Sequence, residues 1–575
     1  MEWTNQRFFG IGCALCILIV FATSLPVLKA PRLEADDYRY LGHIQQVQAG
    51  KMGLLEGMVV ENRWDHLWFM QENGRIRFFR PTVVGSYALD LLVWNDRHPF
   101  GLTLTNISIH LACSLLVLYL LGKTVGVGLH SLLGAALFSG LSAHAECIWY
   151  VAGRTDSLAA LGFLSALSLH VAGFRWWALP FFAFGFLTKE MVVVLPVVIV
   201  VYDRWIESRQ WTWNLYVAYG VLTVAILLFK RIALGGMGSD FVYPYLVSPL
   251  STGFLEHLVL QLRSYSGNLL AAEITVPFAD EEAVSMFHRT WIALVGFGGL
   301  LLATWVLRKN RLYWFFLLFG ILVWLPTSFV YLSERYLYLP SVAFIAILSI
   351  LASELKPKMK WVCCILFGAF TAFQSVKLHN KHVVIAEQPG SVREMVGQIE
   401  PVREKIARGG HVLLVNTPGL FVRAQFAEDV LRVVFDDPNL RVDVLTMMPG
   451  QNGTPVIPGD SPPAMGAGVC VGQAGARSVV VEGRSLHQGL RSHRVQEYGL
   501  KRFNWAPLKD GATYQTDGFN VKILDGDPLG ASKIEFEFME PVENAQVLVW
   551  RADCSDLSGH PWVRRKNAVV ELLSL

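Results

Sequence analysis

The chain has 575 residues, of which 53% are hydrophobic and 17% are charged, and its mean hydropathy is +0.41. These values exclude a single soluble domain and indicate a membrane protein with several spans and an appended soluble part. The formal net charge is only +3 and the soluble part carries no basic run, which argues against nucleic acid as a partner.

Apolar stretches of the length that crosses a bilayer, about 20 residues, recur through residues 1–376. No small-residue cleavage site follows the first stretch, so it is predicted to be an uncleaved anchor. The predicted spans in chain order are Phe8–Leu28, Leu102–Leu121, Val127–Tyr150, Leu158–Val171, Trp213–Phe229, Trp291–Leu307, Leu312–Tyr331, Tyr336–Leu351 and Trp361–Phe373.

One further stretch, Ala178–Tyr202, is apolar except for Lys189-Glu190 near its middle. It is either one span or two short helices that turn at this pair. A charge at mid-bilayer costs about 3 kcal/mol, and only the two-helix alternative places the basic residues of the other connections on one side. We therefore predict about eleven spans, a cytoplasmic N-terminus and an extracytoplasmic C-terminal domain.

Two predicted outer loops are long, residues 29–100 and 231–289. The first begins with Glu34-Ala35-Asp36-Asp37, just after the first span. Carboxylates at the rim of a bilayer can act on a substrate whose apolar tail stays in lipid while its reactive head reaches water.

The other predicted outward polar residues lie at the same membrane surface, whereas a transporter is expected to hold ionisable groups near the midplane. This placement favours chemistry at the interface over a translocation path. The residues are Arg80, His144, Glu146, Arg154, Asp156, Lys189, Glu190, Glu334 and Arg335.

Five strings in order resemble a known family: "FFRPTVVGSYALDLLVWN", "LTNISIHLACSLLVLYLL", "AHAECIWYVAGRTDSLAAL", "FLTKEMVVVLPVVIVVYD" and "SERYLYLPSVAF". They are similar to the transmembrane O-mannosyltransferases of the TMTC type and their bacterial relatives, which have the C-type fold of polytopic glycosyltransferases. The resemblance runs from about Glu34 to Ser341. It stops beyond about Ser375, where the family's tetratricopeptide repeats are missing.

The resemblance implies transfer of a monosaccharide, with mannose as one candidate, from a polyprenyl-phosphate donor to a protein, lipid or glycan acceptor. It implies that Asp36 or Asp37 is the general base and that the anomeric centre is inverted. The departing phosphate needs cations, which Arg335 and Lys189 can supply. Substrate contacts are predicted for Arg80, His144, Glu146, Arg154, Asp156, Glu190, Glu334 and Tyr338.

Structural alternatives stay open for these residues. Asp36 and Asp37 are also suited to cap a helix, Lys189-Glu190 to form an ion pair at a turn, and Arg335 to reach lipid headgroups. Pairing between loops explains His144, Glu146, Arg154 and Asp156 equally well, and Arg80 is also suited to anchor its loop to lipid phosphates. At the level of the whole chain, the alternatives are a transporter or flippase of lipid-linked glycans and a non-catalytic scaffold. No ligand spacing indicates a metal site, and a requirement for a divalent cation stays open.

Residues 377–575 form the predicted soluble domain. A strand-helix-strand unit is indicated by "HVLLVNTPG", a helical pattern over Phe421–Val434 and "RVDVLTM", and a linker by Gly450–Gly468. Alternating runs such as "RSVVVEG", "FNVKIL", "KIEFEF" and "AQVLVW" predict a β-rich end.

Six of the eight cysteines lie in or beside predicted spans. The other two, Cys470 and Cys554, are predicted to pair, because the domain that holds them is predicted to face an oxidising compartment. The unfamiliar, repeat-free tail favours a bacterial inner membrane over the endoplasmic reticulum.

Overall fold

The computed structural model describes residues 2–63, 68, 75–94, 99–235, 247–273, 286–330, 332–387, 391–415, 421–446, 469–486, 509–516, 518–526, 531–542, 545–550 and 570–574. The chain divides into two compact units. The helical unit comprises residues 1–32, 79–236 and 245–388, and the mixed unit comprises 33–78, 237–244 and 389–575. This division differs from the predicted 1–376 and 377–575, because much of the first loop groups with the C-terminal domain.

Helices dominate the described part of the helical unit, as the composition predicts. The helices of both units, numbered together in chain order, are α1 Glu2–Lys29, α2 Ala35–Gln48, α3 Leu54–Gly57, α4 Pro81–Trp94, α5 Pro99–Thr124, α6 Leu129–Gly140, α7 Ala145–Trp149, α8 Arg154–Val171, α9 Ala178–Thr188, α10 Leu195–Val201, α11 Trp213–Ala233, α12 Phe254–Ser266, α13 Met286–Leu307, α14 Arg311–Trp324, α15 Ser341–Glu354, α16 Pro357–Glu387, α17 Ser391–Ile399 and α18 Phe421–Phe435.

Among the described residues, five helical stretches are long and apolar enough to cross a membrane: Gln6–Lys29, Pro99–Thr124, Trp213–Ala233, Thr290–Leu307 and Pro357–Glu387. Leu129–Gly140 and Ser142–Trp149 form a sixth if the pair, bent by 42°, counts as one span. Shorter apolar helices cover Arg311–Thr327 and Ser341–Glu354. Each falls on a predicted span, and the total of about eleven stays a prediction.

Helices α8 and α9 pack closely at a pair of glycines. A Cβ on Gly162 would lie 2.7 Å from the Cα of Gly185, which no side chain tolerates. Small residues at such crossings let apolar helices approach through their backbones. Residues of α5, α8, α9 and α14 then share one buried core.

The chain reverses direction at Lys189, as the two-helix prediction requires. Lys189 bonds to Asp156, in the first turn of α8, whereas Asp203 bonds to His170, in the last turn of the same helix. Those two turns lie about 20 Å apart along the helix. The chain therefore arrives through α9 at one end of α8 and returns through α10 to the other.

The mixed unit contains strands β1 Val59–Arg63, β2 Arg75–Phe79, β3 His411–Val415, β4 Arg441–Val444, β5 Val469–Gly475, β6 Ser478–Leu486, β7 Thr513–Gln515, β8 Phe519–Gly526, β9 Ala531–Phe538, β10 Gln546–Trp550 and β11 Val570–Ser574. They form a two-stranded sheet, a four-stranded sheet of order β11-β10-β3-β4 and a five-stranded sheet of order β5-β6-β9-β8-β7.

The sequence-predicted strands and helix of this unit are confirmed within the described residues. Strand β3, helix α18 and strand β4 form the expected strand-helix-strand unit, and β3 pairs in parallel with β4. The antiparallel sheet contains the predicted alternating runs. One of these runs, strand β10, belongs instead to the four-stranded sheet, where it pairs in parallel with β3. The predicted linker, residues 450–468, lies outside the described residues.

Candidate active site

Two cations share one buried carboxylate at the end of the helical bundle where α8 begins. Asp156 is in the first turn of α8, and its side chain is only 2% exposed. One of its oxygens lies 2.5 Å from Lys189 Nζ, and the other lies 3.7 Å from Arg335 Nε. Lys189 caps the C-terminal end of α9, and Arg335 belongs to the 3₁₀ turn Glu334–Leu337 before α15. We call Asp156, Lys189, Arg335 and Glu146 the cation cluster.

Glu146 of α7 supplies the second carboxylate of this cluster. It lies 3.5 Å from an Arg335 nitrogen and accepts a hydrogen bond of 2.7 Å from the Ser333 hydroxyl. Arg335 is thus held between two carboxylates from different helices. Its side chain and that of Lys189 keep 16% and 13% of their surface exposed, so both cations reach the edge of the bundle.

Lys189, at the break between α9 and the following turn, is surrounded by charged side chains of both signs. Burial lowers its pKa, the charge of Asp156 opposes this, and the charges of Arg335 and Arg80 lower the pKa further. Its ammonium also lies 4.5 Å from the ring centre of Tyr336, a cation–π contact. Arg80 therefore acts on the cluster electrostatically, as a third positive charge.

Glu190 does not join the cluster, although it neighbours Lys189 in the sequence. Its carboxylate accepts a hydrogen bond of 2.7 Å from Lys230 at the end of α11. The predicted Lys189-Glu190 ion pair at a turn is therefore replaced by two pairs that point to different helices.

Glu334 also has a separate partner. Its two oxygens accept hydrogen bonds of 3.0 and 2.9 Å from Lys381 of α16, and one accepts 3.1 Å from Asn268. Lys381 is 8% exposed and also donates to the Ser142 carbonyl. Glu334 thus ties the Arg335 turn to α16, while its neighbours Ser333 and Arg335 face Glu146.

Arg154 is fully buried and ties helices together. It donates 2.6 Å to Asp90 of α4, 2.9 Å to Asn106 of α5 and 2.9 Å to the Leu102 carbonyl. Its guanidinium lies 4.4 Å from the ring centre of Tyr87. These contacts match the pairing between loops that the sequence left open as an alternative.

His144 and Tyr338 lie in an aromatic cluster inside the bundle, 0% and 1% exposed. The His144 ring nitrogens lie 2.9 Å from the Phe138 carbonyl and 3.0 Å from the Ser341 hydroxyl. The Tyr338 hydroxyl lies 2.8 Å from His110 Nδ1. The structure gives both residues packing partners, and their contact with substrate stays a prediction.

The acidic pair belongs to the mixed unit and begins helix α2. Glu34 caps the helix, and its backbone N–H donates 2.7 Å to the Asp37 carboxylate. Asp37 is 0% exposed, whereas Asp36 is half-buried. The capping alternative therefore applies to Asp37, and Asp36 is the more accessible of the two carboxylates.

Two remaining predictions concern cysteines and metal ions. Cys470 is disulfide-bonded, while Cys554 lies outside the described residues, so the predicted pairing stays a prediction. Within the described residues, no three His, Cys, Asp or Glu side chains come together in a way that could hold a metal ion.

Several partners of these residues were missed by reasoning from sequence, notably Asp90, Asn106, Lys230, Ser333 and Lys381. Asp90 and Asn106 were hidden because a polar residue in an apolar stretch gives no sign of its partner. Lys381 lay beyond the predicted last span, which ended at Phe373. The helix in fact runs to Glu387 and contains Lys381. Only a longer estimate of this last helix could have brought Lys381 into the predicted bundle.

No protein-family model and no curated protein matches the chain. Solved structures to which the chain is similar include the following two. The Archaeoglobus fulgidus oligosaccharyltransferase, tethered to an acceptor peptide with an NVT sequon, has 12% identity and a TM-score of 0.45 over 77% of this chain. The chain covers 64% of that protein's length. ArnT from Cupriavidus metallidurans, bound to undecaprenyl phosphate, has 13% identity and a TM-score of 0.44, covering 75% of this chain and 85% of that one.

Proposed function

We propose that the chain is an integral membrane glycosyltransferase that uses a polyprenyl-phosphate-linked monosaccharide. The observation that carries the proposal is the pair of partly exposed cations, Lys189 and Arg335, on the single carboxylate of Asp156. The sugar, with mannose as one candidate, passes to an extracytoplasmic protein, lipid or glycan.

The cation cluster has the charges that the departing polyprenyl phosphate, a phosphate monoester, requires. Lys189, Arg335 and nearby Arg80 carry three positive charges against the two of Asp156 and Glu146. Arginine can donate two parallel hydrogen bonds to phosphate, and lysine adds a compact charge. Because Asp156 and Glu146 already hold these cations in place, binding phosphate costs little reorganisation.

In the proposed reaction, the Asp36 carboxylate takes the proton of an acceptor hydroxyl. The acceptor oxygen forms a bond to the anomeric carbon as the bond from that carbon to the phosphate oxygen breaks. The electron pair stays on the phosphate, which leaves as polyprenyl phosphate beside Lys189 and Arg335. The products are the glycosylated acceptor, polyprenyl phosphate and one proton, and no redox partner is needed.

The distribution of charge along the bundle supports an extracytoplasmic site. Asn310 before α14 bonds to Glu354 at the end of α15, at the opposite end from Ser341 and the cation cluster. Exposed basic residues crowd this opposite end: Arg308, Lys309, Arg311, Lys356 and Lys358. The positive-inside rule makes that end cytoplasmic. A bacterial inner membrane remains the favoured location.

The test is a transfer assay with purified protein and a panel of polyprenyl-phosphate sugars. We expect release of polyprenyl phosphate and a new glycosidic bond, both lost in Asp36→Asn with normal membrane insertion. The matched control is Glu540→Gln, which removes an exposed carboxylate of the mixed unit that pairs with Arg441. Full activity of Asp36→Asn would show that another group is the base.

Reconstituted vesicles separate this proposal from a flippase. A flippase moves labelled lipid-linked sugar across the bilayer and makes no glycosidic bond. A transferase makes the bond without net movement of the donor.

A further inference from the structure

We infer that the C-terminal domain, residues 389–575, positions the proposed general base. The sequence assigns this domain no chemistry. In the mixed unit, however, helix α2, whose first turn holds Asp36 and Asp37, is docked on helix α18 of that domain. The inference rests on the proposed function, because it takes Asp36 as the base.

The central anchor of the docking is Arg39, one turn after Asp36 on the same face of α2. Only 8% of Arg39 is exposed. Its guanidinium forms an ion pair with Asp429 of α18, donates to the Glu61 carbonyl and lies 4.9 Å from the ring centre of Phe426. Because the planar guanidinium of Arg39 has three fixed neighbours, it fixes the rotation of α2 about its own axis.

Polar contacts continue along the rest of α2 and past its end. Gln45 donates 3.2 Å to the Arg432 carbonyl, and Gln46 donates 2.9 Å to the Pro438 carbonyl. Lys51, beyond the helix, donates 3.1 Å to the same Pro438 oxygen. Because these contacts span several turns, they fix the position of α2 along its axis as well as its rotation.

The two helices are also in close steric contact. A Cβ added to Gly42 would lie 3.1 Å from a carboxylate oxygen of Asp429. That separation is tight, so glycine lets α2 approach α18 at the point where Arg39 and Asp429 pair.

Trp68 anchors the same loop a second time. It is 2% exposed, and its indole N–H donates 2.8 Å to the Leu445 carbonyl after β4. Its ring centre lies 5.9 Å from that of Tyr514 and 5.8 Å from that of Phe536, both in the antiparallel sheet. Trp68 is thus buried among strands of the mixed unit.

Docking at two points restricts the freedom of the segment that carries Asp36. A base that must align with an acceptor hydroxyl gains rate from such restriction, since misplacement by about 1 Å can cost on the order of a hundredfold. Loss of this docking should therefore lower kcat. The KM for the donor should stay constant, because the donor phosphate is proposed to bind at the cation cluster.

The test uses full-length protein with Arg39→Asp, Asp429→Arg and the double variant. Hydrogen exchange of α2 amides and transfer kinetics are measured together. We expect each single variant to speed exchange and lower kcat at least tenfold with an unchanged donor KM, and the double variant to recover a substantial part of both. Singles with faster exchange and wild-type kcat would overturn the inference.

A milder pair guards against misfolding of the charge-reversal variants. Gln46→Ala with Lys51→Ala removes the contacts to Pro438 and should lower kcat two- to fivefold. Lys533→Ala is the matched control, since it removes an ion pair of 3.2 Å with Glu482 between strands β9 and β6 of the same unit. An equal loss of kcat in this control would also overturn the inference. Absence of transfer by the wild-type protein would instead reject the proposed function, and the inference with it.

Discussion

The ammonium of Lys189 lies 2.5 Å from an oxygen of Asp156, although the two residues belong to different helices and are separated by 33 positions in the chain. This contact places the break of Ala178–Tyr202 beside the start of α8. It also brings Lys189 next to Arg335, which approaches the other oxygen of the same carboxylate. Two cations are thereby held at one site, and the proposed donor phosphate would bind there.

Replacing Asp156 with asparagine should lower kcat by about tenfold or more, because Lys189 and Arg335 lose the carboxylate that orients them. The donor KM should not rise, since the net charge facing the phosphate becomes more positive. Glu146→Gln should be milder, because the Ser333 hydroxyl can still donate to the amide oxygen. Steady-state kinetics check both variants. Equal effects on kcat would contradict a special role for Asp156.

The lowered pKa of Lys189 predicts that activity depends on pH. Its pKa is lowered by burial, so the cation is lost as pH rises through a value below the ordinary one for lysine. Activity should fall on that alkaline limb, and Lys189→Arg should shift the limb upward because arginine stays protonated.

The lowered pKa of Lys189 also predicts that stability rises with pH where activity falls. Between the folded and unfolded pKa values the unfolded chain binds more protons, so this group's contribution to stability rises with pH. Unfolding curves at each pH serve as the control. A limb that is identical in wild type and Lys189→Arg would count against Lys189 as the titrating group.

Arg154→Met should destabilise the helical unit. The variant leaves Asp90 buried without its main partner, and breaking a buried pair of this kind costs about 3–5 kcal/mol. Denaturant or thermal unfolding in detergent measures the loss.

Arg335→Met, at a more exposed position, should instead remove activity with a much smaller change in stability.

Lys381→Met should raise the donor KM through the turn that carries Arg335. Lys381 bonds to Glu334, whose neighbour Arg335 faces the cation cluster. Lys381→Arg should retain most activity. In the double variant Lys381→Met with Glu334→Leu, stability should recover because a buried pair replaced by apolar groups is often neutral. A donor KM that recovers together with stability would mean that the pair has no positioning role.

Much of the fold was predictable from the sequence because hydrophobic length and period are local properties. The break at Lys189 was also predictable, since a charged pair within an apolar stretch is costly wherever it is not at a surface. The identity of partners was not, as the pairs Arg154–Asp90 and Lys381–Glu334 show. A buried ion pair joins residues far apart in sequence, and each partner alone looks like an isolated polar residue.

The first loop shows a second limit on prediction from sequence. The sequence left open that Asp36 and Asp37 cap a helix; in the structure Glu34 is the cap, Asp36 lies in the first turn of α2, and Asp37 accepts the capping bond. The docking of that helix on α18 depends on Asp429, which lies almost 400 residues away and has no marker in the sequence. Long-range packing of a loop against a separate domain leaves no periodic signal.

The binding of undecaprenyl phosphate to purified protein tests the central claim most directly, because it isolates the cation cluster from acceptor and chemistry. We expect measurable affinity for the wild type and a loss of at least about thirtyfold in Lys189→Ala with Arg335→Ala, from two charge-assisted contacts. Arg311→Ala, which removes an exposed arginine at the opposite end of the bundle, should bind like wild type. Unchanged affinity in the double variant would contradict the assignment of this cluster as the donor phosphate site.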